Sequence, residues 1–497
     1  MPSASTFPIV ELNVAGNIWD DSIRSTLSEL RVHRRLSLPA MCELVFLGNP
    51  PGKIKVNLDD ELKIAVGHQP LFWGEVTAIE YVYGVSNSRE LHIRAFDRLH
   101  RLRKRQSVLS IVDKRLDEIV RELISIDRLS VQCSSLLPVL RNAVQWRDSD
   151  FDYLVGLTAR FGIYFGLKET TVYLTTLASD STPIPVRLGA NLLRAQFEKT
   201  NDSSCSKVRA LAWDPSLANE ITATADSAQT GRTTVWRASG FLGTERFLLN
   251  QIVEDDAQAQ LAAQGELNRR VGREFIFSGI SEGDPNLLPG ARVSVTDVAP
   301  ELCDTYTLTQ VVHRIDGASG FVSEFSTEPP LDPEIAPPTA SLGVVTNVDD
   351  PKRLGRVRVK LVGYRDAESG WLAVVTPGAG SGKGIIALPN TGDRVLLFEP
   401  AGDPANAIVI GGLYGASAPP DSVVENGRVQ RFTIQTPAPH KLSFDDATKT
   451  IRLEDATGNH IALSPNGFML HSAADLRIEA PGRAIKIIAD KIDFERG

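Results

Sequence analysis

The last stretch of the chain, residues 432–497, repeats one element. Pairs of apolar residues one position apart recur about every eight residues: Leu442/Phe444, Ile451/Leu453, Ile461/Leu463, Phe468/Leu470, Leu476/Ile478, Ile485/Ile487 and Ile492/Phe494. Residues two apart share a face of a β-strand, so each pair marks a short strand with one apolar side. The connectors carry turn chemistry, among them Asp455-Ala456-Thr457-Gly458-Asn459, Ser464-Pro465-Asn466-Gly467 and Pro481-Gly482. Such a ribbon has one oily face and nothing of its own to cover it. Burying a large apolar side chain contributes about 1.5–3 kcal/mol. Fixing each residue's backbone costs about 1–2 kcal/mol, so a lone ribbon is marginal. The favourable solution wraps identical copies around one axis, with apolar pairs inward and strand edges paired between chains. Lys449, Arg452, Glu454, Arg477, Glu479, Lys486, Asp490 and Lys491 would then coat an intertwined prism. A monomeric repeat solenoid or the edge of a β-sandwich would show the same period.

With 497 residues the chain has room for about three domains. A hydrophobic content of 42% with 23% charged residues describes a globular protein. The net charge of −8 argues against nucleic acid as the main partner. Cys42, Cys133, Cys205 and Cys303 are far apart, without CxxC spacing, and read as reduced, buried thiols rather than zinc ligands. Residues 1–19 lack a basic segment followed by an apolar one, so no secretory leader is expected. No window reaches the ~20 apolar residues of a membrane-spanning helix.

The first 335 residues read as strands with three amphipathic helices. Strands are expected at 32–47 (a pair), 62–66, 74–83 and 90–96, and a comparable series returns at 291–295, 306–315 and 321–325. Lys63-Ile64-Ala65-Val66 resembles Arg292-Val293-Ser294-Val295, and Gly74–Ile79 in text resembles the six residues from Tyr306 to Val311. Two related β-barrels are inferred. Helices are expected at 113–126, with Leu116, Ile119, Val120, Leu123 and Ile124 on one stripe, at 149–161, stopping at Gly162, and at 256–271. Arg98, Arg101, Arg103, Lys104 and Arg105 concentrate positive charge, read as a solvated face or a contact to an acidic partner surface rather than a phosphate site.

A Pro-rich connector at 328–339, with Pro329, Pro330, Pro333, Pro337 and Pro338, marks a domain boundary. Five strands should follow, at 341–348, 356–361, 371–375, 384–398 with a break at 389–393, and 407–414, making a small OB-like barrel. The run Pro377-Gly378-Ala379-Gly380-Ser381-Gly382-Lys383-Gly384 fails as a P-loop, because Pro377 replaces the first Gly and Gly384 the Ser/Thr. It reads as a loop between strands. No HExxH or GxSxG occurs, His440, His460 and His471 stand alone in sequence, and Asp59-Asp60, Asp255-Asp256 and Asp445-Asp446 sit in polar turns. No catalytic, cofactor-binding or metal-binding residue is expected.

These segments resemble a known family. Gly343-Val344-Val345-Thr346-Asn347-Val348, Gly355-Arg356-Val357-Arg358-Val359, Trp371, Leu388-Pro389-Asn390-Thr391-Gly392-Asp393-Arg394-Val395, Gly402-Asp403-Pro404 and Gly411-Gly412-Leu413-Tyr414 are similar to the baseplate OB domain of VgrG and phage tail-spike proteins. Arg35-Leu36-Ser37-Leu38-Pro39-Ala40 and Val144-Gln145-Trp146-Arg147-Asp148-Ser149 resemble the hub domain of that family. The resemblance implies a mainly β fold: a hub of two related barrels at 1–335, an OB-fold domain at 336–416 and a trimeric β-prism needle at 417–497. It also implies a homotrimer that docks under a hexameric inner tube, contacts baseplate proteins and meets a target membrane on firing. The chain resembles most the spikes of extracellular contractile injection systems, assembled in the cytoplasm and carried on a released phage tail-like particle. The needle lacks the His-x-His pair that holds iron in some phage spike tips, which implies a separate PAAR-like cap. The fourteen apolar residues named above are the expected trimer core. The rivals are a spike with cell-wall hydrolase activity and an OB-fold protein binding nucleic acid or carbohydrate.

Overall fold

Alternation of apolar and polar residues builds the first unit strand by strand. The computed structural model describes residues 8–48, 54–85, 88–133, 137–145, 147–202, 205–214, 218–233, 245–251, 253–331 and 337–495. Residues 1–7 of the expected leaderless terminus, Trp146, Pro333 and the expected boundary at 335/336 lie outside them. The chain divides into two compact units, Met1–Gly412 and Leu413–Gly497.

The centre of the first unit is an eleven-stranded sheet in which one four-strand order occurs twice. In the N-terminal half, Leu27–Arg35 pairs with Met41–Leu47, which pairs with Arg89–Phe96, which pairs with Gln69–Tyr83. In the C-terminal half, Leu192–Lys199, Phe275–Glu282, Gly320–Ser326 and Gln310–Asp316 follow the same order. The halves meet where Gln310–Asp316 pairs antiparallel with Leu27–Arg35. Each half has its own core, one around Leu30, Leu44, Phe46, Ile64 and Ile93, the other around Phe277, Val293, Tyr306, Val311 and Phe325. The sequence match between the halves is slipped. Lys63 faces Trp73 and Arg292 faces Thr307, so Thr307 is the counterpart of Trp73, two positions from the text alignment. A two-residue slip keeps every side chain on its own face, which is why the pattern matched anyway.

A helical lobe lies between the halves. Its first helix begins at Leu116, three residues later than expected, because Leu109–Arg115 is instead a strand paired with Val139–Gln145. The stripe Leu116, Ile119, Val120, Leu123 and Ile124 is buried as expected. The second helix, Asp150–Ala159, is capped by the Ser149 hydroxyl, which accepts from the Asp152 N–H at 3.1 Å. It stops at Gly162, whose φ of +65° suits glycine and whose Cβ, if it had one, would stand 2.4 Å from Gly265 Cα. Gly265 belongs to the third helix, Asp256–Glu274, which lays Ala263 and Leu267 on Val208 and Ala210 of a three-stranded sheet.

The OB domain is a five-stranded sheet in the order Ala367–Glu368, Arg358–Leu361, Thr339–Asn347, Arg394–Glu399, Ile408–Leu413. The strand expected from residue 384 begins only at Arg394, and Ile385 and Ile386 are exposed. Residues 371–375 join the sheet through isolated bridges, Val357 to Leu372 and Val374 to Val409. Asp350 ties the barrel's entry: it receives Arg356 through Nη2 at 2.7 Å and Nε at 3.0 Å. That guanidinium and the Leu354 and Lys352 N–H groups hold its carboxyl well below the usual carboxylate range. The barrel shares a core with the hub, since Val144 packs among Val345, Val359, Leu372 and Val409. Arg160 adds an ion pair to Asp403 at 3.6 Å.

Candidate assembly interface

The second unit is an antiparallel meander of five strands: Arg431–Gln435, Lys441–Asp445, Thr450–Glu454, His460–Ser464 and Gly467–His471. Its register turns the sequence pairs into two continuous ladders. One runs Phe432, Phe444, Ile451, Leu463, Phe468; the other runs Ile434, Leu442, Leu453, Ile461, Leu470. Both lie on one face, because the two rungs are always two residues apart along each strand. The opposite face carries Thr433, Ser443, Arg452, Ala462 and Met469.

None of residues 413–495 is buried within the chain. Phe468 is 69% exposed and Leu453 54%, where apolar side chains of a closed β core sit near zero. Of the fourteen expected core residues, Leu442, Phe444, Ile451, Leu453, Ile461, Leu463, Phe468 and Leu470 fall in the ladders. Leu476, Ile478, Ile485, Ile487, Ile492 and Phe494 do not, since residues 472–495 form no strand in the single chain. Their expected turn is present, with the Arg483 N–H donating to the Ala480 carbonyl at 2.9 Å. The first rung, Phe432 and Ile434, was not among the expected residues. The same one-apart spacing marks it, and the ten residues that separate it from the next pair equal the step from Ile451 to Ile461.

Polar groups fix where the meander starts. Asp421 accepts from the Val423 N–H at 3.0 Å, Arg431 Nε at 3.2 Å, Thr433 Oγ1 at 2.9 Å and Lys441 Nζ at 3.2 Å. The Val423 N–H and the Arg431 guanidinium keep its carboxyl well below the ordinary range. The sheet also corrects the view that His460 and His471 stand alone. They face one another in register, with ring centroids 4.8 Å apart.

The basic cluster of the first unit is reassigned in part. Arg98–Lys104 forms a 3₁₀ turn, and three arginines of the cluster pair with carboxylates of the same unit. Arg101 binds Glu75 and reaches Asp127 at 3.4 Å, and Arg105 binds Asp150 and reaches Asp127 at 3.4 Å. Arg98 meets Glu61 at 3.2 Å, and Arg103 lies 4.9 Å over the Phe151 ring. These pairs bolt the helical lobe to the first half of the hub, while Arg103 and Lys104 stay exposed, as a solvated face requires. Residues 377–384 form an exposed hairpin turn closed by Gly380 and Lys383. On the OB barrel, the Trp371 ring is covered by the Arg358 guanidinium at 5.1 Å. Of the four thiols expected to be buried, Cys42 and Cys205 are, Cys133 is half-buried and Cys303 is exposed. Among the described residues, no group of three His, Cys, Asp or Glu side chains is placed to hold a metal, and no helix is long and apolar enough to cross a membrane.

Comparison with known proteins agrees with this architecture. Residues 34–318 match the phage tail baseplate hub (GPD) family, and residues 341–414 match the type VI secretion system/phage-baseplate injector OB domain. No curated protein sequence matches. Among solved structures, the fold is similar to an Escherichia coli component of the type VI secretion system described as resembling the phage T4 tail proteins gp27 and gp5. It is 13% identical, with 81% of this chain and 99% of that chain covered, at a TM-score of 0.53. A Francisella PdpA–VgrG complex is 10% identical over 93% of this chain and 79% of that chain, at a TM-score of 0.54. A 43 kDa tail protein of prophage MuSo2 from Shewanella oneidensis is 14% identical over 64% and 97%, at 0.51. The fold is shared with these VgrG-like structures; the hub match spans more than half of the sequence, and the chain belongs to the phage tail baseplate hub family.

Proposed function

We propose that the protein is the non-enzymatic central spike of a contractile injection system, working as a homotrimer. One observation carries this reading: ten apolar side chains lie in two ladders on one face of a unit that buries nothing by itself. A third of a prism has this form. Three copies turn the ladders onto a common axis, and residues 472–495 then acquire strand partners from neighbouring chains, which brings in Leu476, Ile478, Ile485, Ile487, Ile492 and Phe494.

The other end of the chain supports a tube-docking role. A four-strand order used twice gives six similar units in a trimer, which matches a hexameric inner tube. The shared core of hub and OB barrel transmits axial load without a hinge. The needle would concentrate the work of sheath contraction on a small area of target membrane, with a PAAR-like cap at its tip and baseplate proteins around the hub. The particle assembles in the cytoplasm and is released.

Electron microscopy of the protein mixed with hexameric tube rings of the same particle tests this. One trimer seated on each ring is expected, and spikes that never engage rings contradict it. Incubation with peptidoglycan should give no release of soluble fragments. Turnover abolished by a single carboxylate substitution would reverse the non-enzymatic assignment.

A further inference from the structure

We propose that His460 and His471 form a site for one divalent transition-metal ion of the imidazole-preferring kind, such as zinc or copper, on the polar face of the C-terminal sheet. The two residues are eleven apart in sequence, yet lie directly opposite one another on adjacent antiparallel strands. Their rings stack with centroids 4.8 Å apart and planes 29° from parallel. Facing residues on such strands have Cβ atoms about 4.5–5.5 Å apart; the stacked rings hold their in-plane lone pairs nearly parallel, so binding turns the His471 ring out of the stack to bring both nitrogens to about 2.0–2.1 Å from one ion.

The tautomer of His460 is set for this. Its Nδ1 stands 3.0 Å from the Gly458 carbonyl oxygen. A carbonyl only accepts, so Nδ1 carries the hydrogen and Nε2 keeps its lone pair. Ligating histidines are usually oriented in this way, by donating the other ring N–H to a carbonyl.

The backbone on both sides is also held. Asp455 accepts from the Thr457 N–H at 2.8 Å, the Asn459 N–H at 3.0 Å and Asn459 Nδ2 at 2.6 Å, fixing the loop that presents Gly458. Asn459, the residue before His460, accepts through Oδ1 from the Ala473 N–H at 2.7 Å and the Ser472 hydroxyl at 3.3 Å, just after His471. One side chain therefore ties the two histidine-bearing strand ends together. The facing carboxylate, Glu454, is occupied by Arg452 at 2.9 and 3.0 Å. The protein supplies two nitrogens, and water completes the coordination. An ion there cross-links the last two strands of the meander.

The site lies within one chain and does not depend on trimer formation. Full-length protein without an affinity tag, titrated with zinc by calorimetry, should bind one ion per chain. Binding should disappear in His460→Gln and in His471→Gln, and persist in His440→Gln. Copper-loaded wild type should show an electron paramagnetic resonance spectrum with two coordinated nitrogens. Each single variant should lose that two-nitrogen signature. Circular dichroism and native mass, read separately, report that the variants fold and assemble. Absence of saturable zinc binding, or binding undiminished in both single variants, overturns the proposal.

Discussion

Two faces of this protein are written in the same alternating pattern and meet opposite fates. In the hub, Leu44 faces Ile93 and Phe46 faces Leu91 across neighbouring strands, and all four are at most 2% exposed. In the C-terminal unit, Phe444 faces Ile451 and Leu442 faces Leu453, and Phe444, Ile451 and Leu453 stand 39–54% exposed. Period-2 patterning states which side of a strand is apolar. It does not state what covers that side. The hub covers its sheet with its own chain, whereas the C-terminal unit leaves the equivalent surface uncovered within the chain.

That contrast can be broken at either end. The largest effect is expected from Leu453→Asp combined with Ile461→Asp, neighbours on one ladder. Carboxylates forced into an apolar trimer axis should reduce the protein to single chains in sedimentation, while the thermal transition of the hub stays. The same charge at Ala462, on the other face, should leave assembly intact. Next is Phe277→Ala in the aromatic core of the second barrel, where Phe277 stacks 4.7 Å from Phe197. It should cost the hub about 3–5 kcal/mol in denaturant unfolding without changing the oligomer.

Acid sharpens the comparison further. His313 is fully buried, with Nδ1 2.9 Å from Ser323 Oγ and Nε2 3.1 Å from the Leu287 carbonyl. Burial, with Arg34 nearby, pushes its imidazole down to about 3. The folded hub keeps it neutral while the unfolded chain protonates near 6.5, so hub stability should fall as pH drops from about 6.5 towards 3. At pH 5 the loss from this group is about 2 kcal/mol, and His313→Gln should flatten that part of the pH profile of the hub's melting temperature. The smallest effect is expected from Gly189→Ala, where φ is +78° and a Cβ would meet open space: about 1–2 kcal/mol for a left-handed alanine, seen as a lower midpoint in urea.

How legible these features were in the sequence follows from how local their causes are. The ladders are readable because both members of each pair lie in one strand, and the Phe432/Ile434 rung carries the same signal at their start. The helix stripe from Leu116 to Ile124 was readable for the same reason. Its start was not, since residues 113–115 are claimed by pairing with Val139–Leu140, a contact more than twenty residues away. The ion pairs of the basic cluster are not legible in the sequence because its counter-charges, Glu75, Asp127 and Asp150, arrive from three other segments. His460 and His471 looked isolated because only the turn between their strands brings them face to face. The two barrels were visible as a faint textual echo, and the repeated strand order gave that echo its physical meaning.

The native mass of the intact protein in dilute solution tests the needle most directly. A particle of about three times the 54.1 kDa chain, falling to one chain when Leu453 and Ile461 carry charges, is expected. A stable species of single-chain mass in the wild type would contradict it, because the two apolar ladders would then have to tolerate water.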